Sequence, residues 1–92
     1  MPDYLKDGDI LLLFANTHRV LQGERILEDN NIPFETIPKP SEISNKCGMA
    51  IRIRKEPVEN INGLFNSSPE LGLQIFHVTN EGYMKFMEGD ES

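Results

Sequence analysis

Cys47 is the only cysteine in the chain and the side chain best suited to form a covalent bond with a soft electrophile. It lies in Ser41-Glu42-Ile43-Ser44-Asn45-Lys46-Cys47-Gly48, a polar segment between two apolar runs. In a core, a cysteine behaves as a small hydrophobe. In a loop beside a cation such as Lys46 it favours the thiolate, the form that attacks electrophiles. Gly48 follows at once and removes a side chain next to the sulfur, so a backbone or a partner can approach. His18 is the nearest candidate to pair with a thiolate or to shuttle a proton, against its plainer role as a first-turn helical residue. Thr17 and Asn16 read as helix caps that fix the helix end. Ser41 and Ser44 could bond a bound anion, although loop serines more often satisfy their own backbone. One cysteine and two histidines without tight spacing make no metal site.

The elements that must position these residues follow from periodicity. Asp9 to Ala15 is a continuous apolar run, the pattern of a strand covered on both faces. From His18 to Asn30, Val20, Gly23, Ile26 and Leu27 recur at helical spacing. Gly23 costs helix propensity, which predicts a close approach of helix to sheet. An asparagine in Asn30-Asn31 can take the left-handed position that ends the helix. Ile32 to Ile37 reads as a strand whose flanking Pro33 and Pro38 place it at a sheet edge. Lys39 to Gly48 is longer than a hairpin needs. Met49 to Arg54 alternates, with Arg52 and Arg54 on one face as a solvated or dimer-facing surface. Pro57 opens a second helix through Phe65, and Leu73 to Val78 is a fourth strand. Tyr83 to Met87 offers an extra short strand or an extension. The chain divides into a flexible segment 1–8, one domain over 9–87 and an acidic tail over 88–92.

The order strand, helix, strand, strand, helix, strand predicts an α+β fold. It is the ferredoxin-like βαββαβ sandwich, with four antiparallel strands and both helices on one face. In the usual 4-1-3-2 order, strands one and three are neighbours. The Cys47 loop then lies beside the start of the first helix, where unpaired amides and the positive end of the helix dipole favour an anion. The sulfur would face Thr17 and His18.

The stretch from Leu12 to Arg54 resembles the selenium/sulfur carrier-like family of small bacterial and archaeal proteins. Its pattern is a strand, a Thr-His helix start, an Ile-Pro strand, and a P-x-x-I-S-x-x-C-G loop leading into a strand. Thr17, His18, Ile32, Pro33, Pro40, Ile43, Ser44, Cys47 and Gly48 match it. Arg19 and Gly23 depart from it, and residues 80–92 fall outside it. The resemblance implies that Cys47 carries sulfur or selenium as a persulfide or perselenide. The cargo would come from a donor such as a cysteine desulfurase and pass to an acceptor protein, without a cofactor. The alternative is a non-catalytic ferredoxin-like module that oligomerises, for instance as a homodimer through strand three, or binds a small molecule, with Cys47 incidental.

Bulk properties narrow the field. Ninety-two residues with 38% hydrophobic content suit one domain with one core. A net charge of −6 argues against nucleic-acid binding, which needs clustered basic surface. The opening residues lack the basic and apolar regions of a signal peptide, and the run Ile10–Ala15 is too short to span a bilayer. These features predict a cytoplasmic protein, in a compartment that keeps a thiol reduced.

Overall fold

The computed structural model describes residues 3–44 and 47–86. Strand β1 (Ile10–Leu13) is followed by helix α1 (Thr17–Asp29), β2 (Glu35–Pro38), β3 (Met49–Ile53) and helix α2 (Val58–Phe65). A 3-10 turn at Pro69–Leu71 then leads into β4 (Gln74–Thr79) and β5 (Gly82–Lys85). All pairings are antiparallel, and the five strands lie in the order β2-β3-β1-β4-β5. Strands β1 and β3 are neighbours, with Leu12 opposite Ile51. The fifth strand extends the sheet beyond the expected four. It is a hairpin on β4, turned through Asn80-Glu81 with Gly82 at φ +132.

Alternation along β1 divides the core in two. Ile10 and Leu12 face the helices with Phe14, Val20, Leu27, Ile51, Ile53, Ile61 and Phe65. Both helices therefore cover the same sheet face. Leu11 and Leu13 face the other side, where Leu5, Ile37, Ile43, Ala50 and Val78 enclose them. The continuous apolar run of β1 is thus explained by cover on both faces, and burying each such side chain contributes about 1.5–3 kcal/mol.

The second cover comes from segments that periodicity leaves unassigned. The described part of the lead-in, residues 3–8, lies across the sheet with Leu5 only 4% exposed. Its carbonyl at Tyr4 accepts from Arg52 Nη1 at 2.9 Å and from Arg54 Nη2 at 3.2 Å. Arg54 Nε donates to the buried Asp9 Oδ1 at 3.0 Å, and the Lys6 amide donates to Asp9 Oδ2 at 2.9 Å. Arg52 also pairs with Glu35. Both guanidiniums are therefore engaged within the chain. A buried carboxylate is tolerable only with such partners.

Helix α1 ends in a Schellman motif. The Ile32 amide donates to Leu27 O and the Asn31 amide to Glu28 O, with Asn31 left-handed at φ 58. That capping uses Ile32, so β2 starts at Glu35, three residues later than the apolar pattern suggests. It is still an edge strand. Pro57 caps α2 from outside rather than sitting in its first turn.

Gly23 fulfils the expected close approach. A Cβ built there would stand 2.5 Å from Phe14 Cζ and 2.6 Å from Cε2. Phe14 is fully buried and meets Phe65 edge-on, ring centroids 6.3 Å apart. Gly23→Ala should therefore lower stability by about 1–3 kcal/mol from overpacking, despite the gain of about 1 kcal/mol in helix propensity. Urea denaturation of Gly23→Ala, Phe14→Leu and the double variant checks this. The double variant should be more stable than the sum of the single losses, because the smaller side chain vacates the ring's place. Additive losses would contradict it.

Candidate functional site

The amino end of α1 is held from several directions. Asn16 is the N-cap, and its Oδ1 accepts from the Arg19 amide at 3.0 Å. The Ala15 amide donates to Leu71 O at 2.9 Å, tying the end of β1 to the 3-10 turn. Arg19 Nη1 donates to Gln22 Oε1 at 2.9 Å, and Gln22 Nε2 donates to Glu70 Oε2 at 2.6 Å. A hydrogen bond from its own backbone, with Gln22 and the Arg19 charge, holds the Glu70 carboxyl below the usual range. Thr17 and His18 occupy the first turn, both exposed. First-turn amides have no partner within their own helix and can receive an anion.

Cys47 enters from the neighbouring strand. The antiparallel β1–β3 register pairs Leu12 with Ile51, so the start of β3, which Cys47 precedes by two residues, lies at the end of β1 that leads into α1. The thiol is buried, 2% exposed, in the helix-side core that also contains Phe14 and Val20. This is a more enclosed position than a polar loop implies. Its sequence neighbours are polar, yet the last residues before β3 already follow the alternation that points Met49, Ile51 and Ile53 toward the helices.

The described part of the connection preceding Cys47 is anchored to the sheet. Lys39 N donates to Gly48 O at 2.9 Å, adding a rung beyond the Pro38–Met49 pair. Lys39 Nζ donates to Ile43 O at 2.7 Å, and Ile43 N donates to Pro40 O at 3.1 Å. Pro40 is fully buried, and Ile43, 7% exposed, packs into the cluster on the face away from the helices. Sequence reasoning gave Ile43 and Pro40 no structural role outside the family pattern. The signal was present, since Ile43 is the only apolar residue between Pro40 and Cys47.

The other expected site residues are distributed around this end. Ser44 and Gly48 are exposed. A Cβ added at Gly48 meets no atom of the described residues within 4 Å, so their packing does not require the glycine. His18 lines a surface hollow with Leu21, Gln22 and Arg25 on the outer side of α1, whereas Cys47 lies in the core beneath the helix. Lys46 lies outside the described residues.

A family model described as "Putative Se/S carrier protein-like" matches residues 9–81. That span covers β1 to β4, both helices and the Cys47 loop, and ends just before β5. The chain belongs to this family. Neither a curated protein nor a solved structure matches the chain. Within the Se/S carrier-like domain the helix start, the anchored loop and the lone thiol all fall inside the matched span. No helix among the described residues is long and apolar enough to cross a membrane.

The Tyr83 hydroxyl is buried beside Glu42 of the loop. Burial, reinforced by the nearby Glu42 carboxylate and Tyr4, pushes the phenol above its ordinary range. A raised folded-state value means stability is intact below the ordinary phenol range, near 10, and falls as pH climbs through the shifted value. Tyr83→Phe should flatten that alkaline decline in thermal melts taken between about pH 9 and 11. An unchanged slope would place the titrating group elsewhere.

The anchor at Ile43 makes a second expectation. Ile43→Ala should raise the alkylation rate of Cys47 by about tenfold or more, the factor that 1.4 kcal/mol of weakened closure supplies. Val58→Ala, destabilising on the helix side, is the control. Equal acceleration by the two at matched global stability would show that only complete unfolding exposes the thiol.

Proposed function

We propose that this domain is a chalcogen carrier in which Cys47 accepts sulfur or selenium as a persulfide or perselenide and passes it on. The observation that carries the proposal is the family match over residues 9–81, a span that holds the chain's only cysteine. The Cys47 thiolate attacks the terminal sulfur of a donor persulfide. The donor's S–S bond breaks, its electron pair leaves on the donor thiolate, and a Cys47 persulfide anion remains. An acceptor nucleophile then takes the terminal atom and releases the Cys47 thiolate, with no net oxidation in either step. The first-turn amides at Thr17 and His18 would stabilise the anion, with Ser44 adding a hydroxyl donor and Lys46 positive charge beside the sulfur, while the outward His18 ring is left to its plainer role as a first-turn residue.

Burial gives this chemistry a condition. A persulfide enclosed in the core is protected from reduction and hydrolysis, and the loop must part from the sheet before the terminal atom changes hands. A cysteine desulfurase or selenium donor and an acceptor protein are the partners this reading requires, in the cytoplasm where thiols stay reduced. The open space around Gly48 suits the approach of a partner's backbone. We also read the architecture as a ferredoxin-like sandwich extended by β5, since β1 to β4 keep the order 2-3-1-4.

A second reading is favoured by the 2% exposure of Cys47: a non-catalytic module, self-associating or ligand-binding, in which the thiol is a core residue. Incubation with a cysteine desulfurase and cysteine, followed by intact mass spectrometry, separates the two. The carrier should gain the mass of one sulfur atom on Cys47, reversed by dithiothreitol and lost in Cys47→Ser. Gly48→Ala should keep global stability within about 0.5 kcal/mol while slowing sulfur loading. An unmodified Cys47 after prolonged incubation would leave the core reading.

A further inference from the structure

A cleft of about 350 Å³ lies between the end of α2, the 3-10 turn, the start of β4 and the end of β5. It opens at the same end of the sheet as Cys47 but on the other side of β1, since Gln74 pairs with the last residue of β1. Its volume is at the small end of ligand pockets and suits a molecule the size of an amino acid. Buried Phe65 and Ile75 form its apolar base. Half-buried Phe86 adds a wall, its amide donating to Ile75 O at 2.7 Å. The cleft therefore has an apolar bed and a wall tied to β4 through the backbone.

Its polar lining has one sign. The chain has 15 acidic and 9 basic residues, yet among the described residues no Asp or Glu lines this cleft, while Lys85 does. Lys85 makes no salt bridge among the described residues, where the ion pairs are Arg52–Glu35 and Arg54–Asp9. The Asn62 amide and Ser68 hydroxyl also line it. A cation, a two-way amide and a hydroxyl above an aromatic bed are complementary to one carboxylate on an apolar body. Among the described lining residues a cationic ligand would meet Lys85 as its one charged neighbour, and a purely apolar one would leave three polar groups desolvated.

We infer that this cleft binds a small organic monocarboxylate, with the carboxylate on Lys85, Asn62 and Ser68 and the apolar body against Phe65, Ile75 and Phe86. The site is independent of the carrier proposal and needs no modification of Cys47. It was not legible in sequence, because its polar members come from α2, a turn and β5, and share no local spacing.

The full chain, uniformly labelled with nitrogen-15, tests this by amide shift titration with 4-methylpentanoate and its neutral counterpart 4-methylpentanamide. The carboxylate should give saturable shifts centred on residues 62–75 and 85–86, and the amide should bind at least tenfold more weakly. Lys85→Met should weaken carboxylate binding at least tenfold, whereas Lys85→Arg should largely preserve it. Ser68→Leu, which fills the cleft, should abolish the shifts while leaving the rest of the spectrum in place. Equal binding of acid and amide would overturn the inference. So would shifts that never saturate, shifts centred on Arg52 and Arg54, or binding indifferent to Lys85→Met.

Discussion

The contact on which the arrangement depends is the seating of Phe14 against Gly23. A helix carrying any side chain at that position would have to stand off from the sheet or displace a ring that is itself fully buried. Close-packed interiors do not absorb such a change smoothly. Because Phe14 also meets Phe65 edge-on, one ring fixes α1 relative to the sheet and α2 relative to α1. The position of the helix's amino end follows, and with it the place where Cys47 enters the core. Glycine's unfavourable propensity in a helix is therefore offset by what it lets the sheet do.

A second constraint operates on the opposite face. A sheet with helices on one side leaves its other side to be covered, and here Leu5 and Ile43 provide that cover. Neither belongs to a regular element. They are held by polar contacts: Arg52 and Arg54 on the Tyr4 carbonyl, Asp9 between Arg54 and the Lys6 amide, and Lys39 on the Ile43 carbonyl. The same chain segment that ends in Cys47 on the helix side thus has an anchor on the far side. Cys47 and Ile43 are only four residues apart in sequence, yet they belong to different cores.

What could be read from the residues alone divides along physical lines. Periodicity located β1, α1, β3, α2 and β4 because burial imposes it directly. Gly23 stood out because an isolated glycine on an apolar helical face needs a reason. The Asn30-Asn31 pair signalled the helix end for the same kind of reason, and Asn31 took the left-handed position. The role of Arg52 and Arg54 was not legible. Alternation places them off the helix-facing side, but it cannot say that residues nearly fifty positions earlier will lie over them. What was legible of the candidate site was the strand order, which sets β3 beside β1 and the start of β3 at the end of β1 that leads into α1. The depth of the thiol was not, because loop polarity describes its neighbours rather than its own direction.

That depth bears on how a carrier of this design would operate. If the closed state exceeds the open one by about a hundredfold, a partner that recognises only the open form pays that same factor in apparent affinity. Binding energy at the surface around the loop would have to supply the difference, because a partner with equal affinity for both states shifts nothing. Gly48 is suited to that surface, being exposed and surrounded by open space. Closure after loading would return the cargo to an apolar enclosure beside Phe14 and Val20, where competing small thiols have no access. Specificity would then reside less in the reactivity of the sulfur than in which partner can release Ile43 from the far face of the sheet. A rigidly exposed cysteine could be more reactive, but it would exchange its cargo with any thiol it met.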